Sequence, residues 1–165
     1  MCHEKCAYCE SKITHVDYGD IEHYKPKSKF CELTFEWTNL LFACGICNGT
    51  NYKGDNFPEA GEGGPLINPC DDDPIDHFEF FYDTNVYIAS VYGITQRGKT
   101  TENLLGLNRH DLRKYRSRCV QKLFVLARKA ESDPEANALL NEAKQDEAEY
   151  AAFARVLSLQ DNFNS

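Results

Sequence analysis

The 165-residue sequence has one methionine, one tryptophan and six prolines, and no apolar run in it approaches the roughly 20 residues that a membrane-crossing helix needs. Positive charge is scarce. Eighteen Lys and Arg stand against 26 Asp and Glu, a net charge of −8 at pH 7, which argues against a chain that binds nucleic acid through its overall charge. Residues 61–95 carry seven acids and no Lys or Arg at all. The start, Met1-Cys2-His3-Glu4-Lys5-Cys6, lacks an apolar core of the kind an export signal requires, so a cytoplasmic location is expected. Internal repeats and low-complexity tracts are also missing. At 42% hydrophobic and 27% charged, the composition fits a soluble globular protein with one core, or a small metal-stapled module with a helical part appended.

Cysteine is plentiful: there are eight. In a reducing compartment thiols stay free, so metal ligands are expected rather than disulfides. Cys6-Ala7-Tyr8-Cys9 and Cys44-Gly45-Ile46-Cys47 form two CxxC pairs separated by 34 residues. Two such pairs supply four thiolates to one tetrahedral zinc, and a full thiolate set leaves no open position, so this ion is structural. Cys2 and His3 lie near enough to compete as ligands. Closing the loop between the pairs brings Glu22, His23, Asn39 and Asn48 together. A carboxylate, an imidazole and amides on such a platform suggest a second, catalytic metal. In phosphodiester hydrolysis a histidine takes a proton from water while a hard divalent cation stabilises charge on the leaving oxygen. Oxygen donors suit Mg²⁺ or Mn²⁺ there. Neighbours in a strand face opposite ways, so joint use of Glu22 and His23 requires a distorted backbone or a metal at the strand edge.

Along the chain, Ile13 and Val16 mark a short strand, Tyr18-Gly19-Asp20 a turn, and Ile21–Tyr24 a second strand that ends before Pro26. Lys25, Lys27 and Lys29 alternate in the following loop, where Lys25 and Lys27 could steer phosphate. The apolar run Trp37–Ala43 leads into Cys44, and a short helix is expected after Cys47, closed by Gly54. Pro58 and the glycines at 61, 63 and 64 mark a long loop; Asp71-Asp72-Asp73, between Pro69 and Pro74, reads as a solvated turn. Phe78–Tyr82 and Val86–Tyr92, with Asp83-Thr84-Asn85 between them, predict a β-hairpin. Asn108 is expected to cap a helix from Arg109 to about Ala130, and Ser132-Asp133-Pro134 to start a second running to about Leu159. The pair would form an antiparallel hairpin. Residues 96–129 hold ten Lys and Arg against two acids, whereas residues 130–165 hold two against eight. That basic segment could face phosphate or an acidic partner, or form an ordinary solvated helix face.

Glu22-His23-Tyr24-Lys25-Pro26, then Asn39-Leu40, then Cys44-Gly45-Ile46-Cys47-Asn48 resembles the HNH endonuclease, or ββα-metal, motif. The resemblance implies His23 as general base, Glu22 and Asn48 as ligands of a catalytic Mg or Mn, and Asn39 as a structural residue that orients the loop. The family's acidic residue is usually Asp, and here it is Glu22. Its lysine usually follows the last ligand by three residues; Asn51 stands there and the lysine comes at Lys53, which makes Asn51 an alternate ligand and Lys53 a further phosphate contact. Lys5–Glu10, Ile21–Ser28, Leu66-Ile67-Asn68-Pro69, Asp72-Asp73-Pro74 and Leu105–Arg109 are together similar to the HNH subunit of Septu anti-phage systems and of certain retrons. That likeness implies a DNA or RNA substrate, a separate ATPase subunit as partner, and no membrane. The expected fold class is α+β: a zinc-stapled ββα-metal core over 1–60, a loop and β-hairpin extension over 61–107, and a C-terminal helical hairpin over 108–165 that docks a partner or faces nucleic acid. The rival reading is a catalytically inert, zinc-stabilised module that binds nucleic acid or protein.

Overall fold

The computed structural model describes residues 3–159; the Cys2 expectation lies outside them. The strands are β1 (Asp20–His23), β2 (Leu40–Ala43), β3 (Phe78–Asp83) and β4 (Ile88–Gly93). The helices are α1 (Gly45–Asn48), α2 (Gln96–Leu105), α3 (His110–Lys129), α4 (Pro134–Ala143) and α5 (Ala151–Leu159). The chain divides into two compact units: residues 1–79 with 92–107, and residues 80–91 with 108–165.

In the first unit β1 pairs antiparallel with β2 in regular register, Asp20 opposite Ala43 and His23 opposite Leu40. The apolar run is thus a strand whose alternate residues, Leu41 and Ala43, are buried, as the period of 2 requires. The strand expected at Ile13–Val16 does not form. The amides of Val16 and Asp17 both bond back to the Ile13 carbonyl, a local turn that two isolated apolar residues cannot outcompete. Gly19 enters β1 at φ +66°, where a Cβ would lie 2.5 Å from the Phe42 ring; only glycine fits. The short helix also lies one step earlier than expected. The Cys44 Sγ accepts from the Cys47 amide at 3.4 Å and caps α1, which ends at Gly49. Turns then carry the chain to Gly54.

The acidic triplet is structural. Arg97 grips Asp72 through Nη1 at 2.9 Å and Nη2 at 2.7 Å, and also donates to the carbonyls of Pro65 and Leu66. Tyr24 Oη donates to the same Leu66 carbonyl at 2.6 Å, so the loop is clasped to the end of β1. Asp71 accepts from the Asn68 amide group, and Asp73 caps a short 3₁₀ turn at Pro74. Helix α2, where only loop was expected, is capped by Thr95 and ends at Gly106.

In the second unit α4 and α5 pack on α3. Arg109, not Asn108, precedes the first turn of α3. Asn108 instead brackets Val91, accepting from its amide at 3.0 Å and donating to its carbonyl at 2.7 Å. The second helix of the expected hairpin is broken between Ala143 and Ala151. Tyr150, at φ +55°, turns its ring into the core, and Arg155 donates to the Lys144 carbonyl at 2.8 Å, satisfying the end of α4. Among the described residues, no helix is long and apolar enough to cross a membrane.

Candidate active site and zinc centre

Cys6, Cys9, Cys44 and Cys47 converge, their sulfurs all within 4.8 Å of one another. Four sulfurs each about 2.3 Å from one ion at tetrahedral angles lie about 3.8 Å apart, so the set could close on a single tetrahedral zinc with a modest contraction. The first knuckle turns on the Glu10 amide bonding to the Cys6 carbonyl, and the Ala7 amide bonds to the Phe42 carbonyl at 2.8 Å, which ties that knuckle to β2. Hydrogen bonds from Cys47, then Cys6 and Cys9, hold the Cys44 thiol far below the ordinary thiol range. Cys47 is correspondingly pushed up as the donor. Among the described residues this is the one such cluster of Cys, His, Asp or Glu.

At the end of β1, one ring nitrogen of His23, Nε2, lies 3.0 Å from the Thr34 carbonyl oxygen. A carbonyl can only accept, so Nε2 carries the proton and Nδ1 of the neutral ring is left with a lone pair. The loop bearing Thr34 is itself held. Asn39 accepts from the Lys25 amide at 2.8 Å, and its Nδ2 donates to the carbonyls of Lys25 at 3.0 Å and Leu33 at 3.2 Å. One buried amide therefore closes the loop from both ends.

Glu22 faces the other way, as strand alternation demands, and the regular β1–β2 register shows no distortion that would bring it beside His23. It is 3% exposed. Its Oε1 pairs with Lys53 Nζ at 2.8 Å and its Oε2 accepts from Tyr8 Oη at 2.6 Å. Burial first, and then the Glu22 charge, push the Tyr8 hydroxyl well above its ordinary range, so it remains the donor. Glu22 is thus an internal counter-ion in this conformation rather than an open ligand. Lys53 also departs from expectation. Fully buried, it pairs with Glu22 and donates to the carbonyls of His23 and Gly54, so it cannot reach a phosphate.

Asn48 is half-buried at the end of α1, and its Nδ2 donates to Asp20 Oδ2 at 3.1 Å. Asp20 is exposed and lies two residues before Glu22 in β1, on the same strand face. The donors beside Asn48 are therefore of the hard-oxygen kind that Mg²⁺ or Mn²⁺ prefers, but the nearest carboxylate is Asp20. Sequence reasoning passed over Asp20 and Tyr8; the period of 2 would have flagged the first. Asn51 is exposed in the turn after α1. Lys25 sits over the Phe30 ring at 5.8 Å, and Lys27 is exposed.

The site thus combines two antiparallel strands, a short helix, a cluster of four cysteines and a histidine hydrogen-bonded to a clamped loop. Residues 6–54 match the HNH endonuclease family model, so the chain contains an HNH endonuclease domain. Over a longer stretch the chain is homologous to Septu protein PtuB from Bacillus mycoides (strain KBAB4), at 32% identity across 74% of this chain and 49% of that protein. It is also homologous to Septu protein PtuB from Bacillus thuringiensis, at 35% identity across 67% of this chain and 39% of that protein. The chain thus spans about half, or less, of the length of these curated relatives. No solved structure matches it.

Proposed function

We propose that this chain is the nuclease subunit of a cytoplasmic anti-phage complex, hydrolysing nucleic-acid phosphodiester bonds. The observation that carries the reading is the 3.0 Å approach of His23 Nε2 to the Thr34 carbonyl: a carbonyl there takes the Nε2–H, which leaves Nδ1 as the basic nitrogen and holds the ring in one orientation. Asn39 fixes the loop and so fixes the ring. A bound Mg²⁺ or Mn²⁺ would neutralise charge on the scissile phosphate and its leaving oxygen. Asn48 would hold it together with a carboxylate, Glu22 by resemblance or Asp20 by proximity, and Asn51 is the alternate amide. Zinc remains the structural ion of the four thiolates. Lys25 and Lys27 would guide the substrate backbone, and by the resemblance described above the partner is an ATPase subunit, whether in a Septu or a retron-type system.

The test is cleavage of defined DNA and RNA by wild type and His23→Ala, with zinc content and circular dichroism as controls. The variant should lose about 10²–10⁴-fold in rate while retaining zinc and fold. Unchanged cleavage removes His23 from the mechanism. One observation favours the rival reading of an inert binding module, namely the buried Glu22–Lys53 pair, which takes the expected ligand out of reach. No cleavage of any substrate in Mg²⁺ or Mn²⁺, with or without the ATPase partner, would decide for it.

A further inference from the structure

The second unit carries a groove of about 290 Å³ between the start of β4 and the first half of α3. Tyr87, His110, Arg113, Lys114, Arg118 and Gln121 are among the residues that line it. The α3 members recur every three to four residues and so share one helix face, spanning about 12 Å from residue 110 to residue 118. No acid lines the groove. Asp111 is turned toward His110, 2.9 Å from its Nδ1, and is absent from the wall. Among the described residues, Arg113, Lys114 and Arg118 have no ion-pair partner.

The groove is built rather than incidental. The Ser117 hydroxyl accepts from the Ala89 amide at 2.9 Å, and the buried Arg116 donates to the Ala89 carbonyl through Nε at 3.1 Å and Nη2 at 2.9 Å. These bonds pin the start of β4 to α3 at one height. Tyr87, two residues before Ala89, adopts φ +56°, a left-handed conformation that costs a bulky residue of order 1 kcal/mol or more. Its half-exposed ring is held at the rim beside the cations. A nucleic-acid strand uses both: phosphates meet guanidinium and ammonium groups, and a base stacks on the ring.

We propose that this groove is a second nucleic-acid contact, binding the phosphate backbone of a strand through Arg113, Lys114 and Arg118 with Tyr87 as a stacking platform. It stands independently of whether the zinc-stapled unit cleaves. The test measures binding of labelled single-stranded and duplex oligonucleotides to the full chain by fluorescence anisotropy, without added divalent cation, over a range of salt. Arg113→Gln/Lys114→Gln/Arg118→Gln should weaken binding at least about 10-fold across unrelated sequences. It should also flatten the dependence of log K on log salt by about 2–3, at about 0.7–0.9 per phosphate contact. Arg128→Gln/Lys129→Gln removes charge from the same helix outside the groove and should leave affinity within about twofold of wild type. Tyr87→Ala should weaken single-strand binding, and Tyr87→Phe should restore it. A triple variant that keeps its circular dichroism and binds as wild type, with an unchanged salt slope, overturns the proposal. So does a triple variant that loses binding to polyglutamate while keeping nucleic acid, which would mark an acidic protein as the occupant.

Discussion

Lys53→Met tests the internal ion pair most directly. Lys53 and Glu22 are almost wholly removed from water, at 0% and 3% exposure, and face each other at 2.8 Å. Removing the ammonium leaves a buried carboxylate with only the Tyr8 hydroxyl as donor. Breaking such a pair from one side costs about 3–5 kcal/mol, a large share of the roughly 5–15 kcal/mol that holds a domain of this kind folded. Methionine matches the lysine stem in length and lack of charge, so lost packing contributes little. Adding Glu22→Gln should recover most of the loss, because no uncompensated charge then remains. The assay is urea denaturation of Lys53→Met and of the double variant beside wild type, with zinc content measured on each. A cost below about 1 kcal/mol for Lys53→Met would refute the pairing as the reason Glu22 faces inward. If Mn²⁺ affinity rises in the same variant, Glu22 has been released to act as a ligand; if it is unchanged, the carboxylate beside Asn48 is the one in use.

Cys47→Ser, or a zinc chelator, should abolish stoichiometric zinc and unfold the first unit, seen as lost protection of β1 and β2 amides in hydrogen exchange. Asn39→Ala removes three hydrogen bonds that hold the loop, at about 1 kcal/mol each. Its destabilisation should be about 2–3 kcal/mol by urea melts, and cleavage should fall although His23 is intact. Hydrogen bonding from Arg97 keeps the Asp72 carboxyl below the usual carboxylate range. Its contribution to stability is therefore complete above the unfolded value near about 3.9 and is lost as pH falls through the folded one. Asp72→Asn should be less stable than wild type at neutral pH, with the gap closing below pH about 4 in melts run across that range.

How much of this could be seen in the amino-acid order depends on the range of each interaction. The four-cysteine cluster and the strand at Ile21 were readable because their signals are local: a fixed CxxC spacing, and the Ile21–Tyr24 stretch between the Gly19 turn and Pro26. The partner of that strand was not, since Leu40–Ala43 is as good a buried helix as a strand until β1 is beside it. Likewise, nothing in the order of residues reveals that Lys53 is buried, because its reason is a carboxylate 31 positions away. His23 and Asn39 were found as residues, but the bond to the Thr34 carbonyl that orients the ring depends on a loop whose path only the folded chain fixes. The break near Tyr150 was hidden for the opposite cause. Its surroundings are good helix formers, and burial of one ring and capping by Arg155 overrule them.

The phenol of Tyr8 hangs between Cys6 and Cys9 and ends on Glu22. A change at the staple therefore has a mechanical route into the β1 strand: shifting either sulfur moves the hydroxyl, and the acid it touches is the immediate neighbour of the histidine. Oxidation of one knuckle would thus disturb the far side of the strand through a single ring, without any chemistry taking place there.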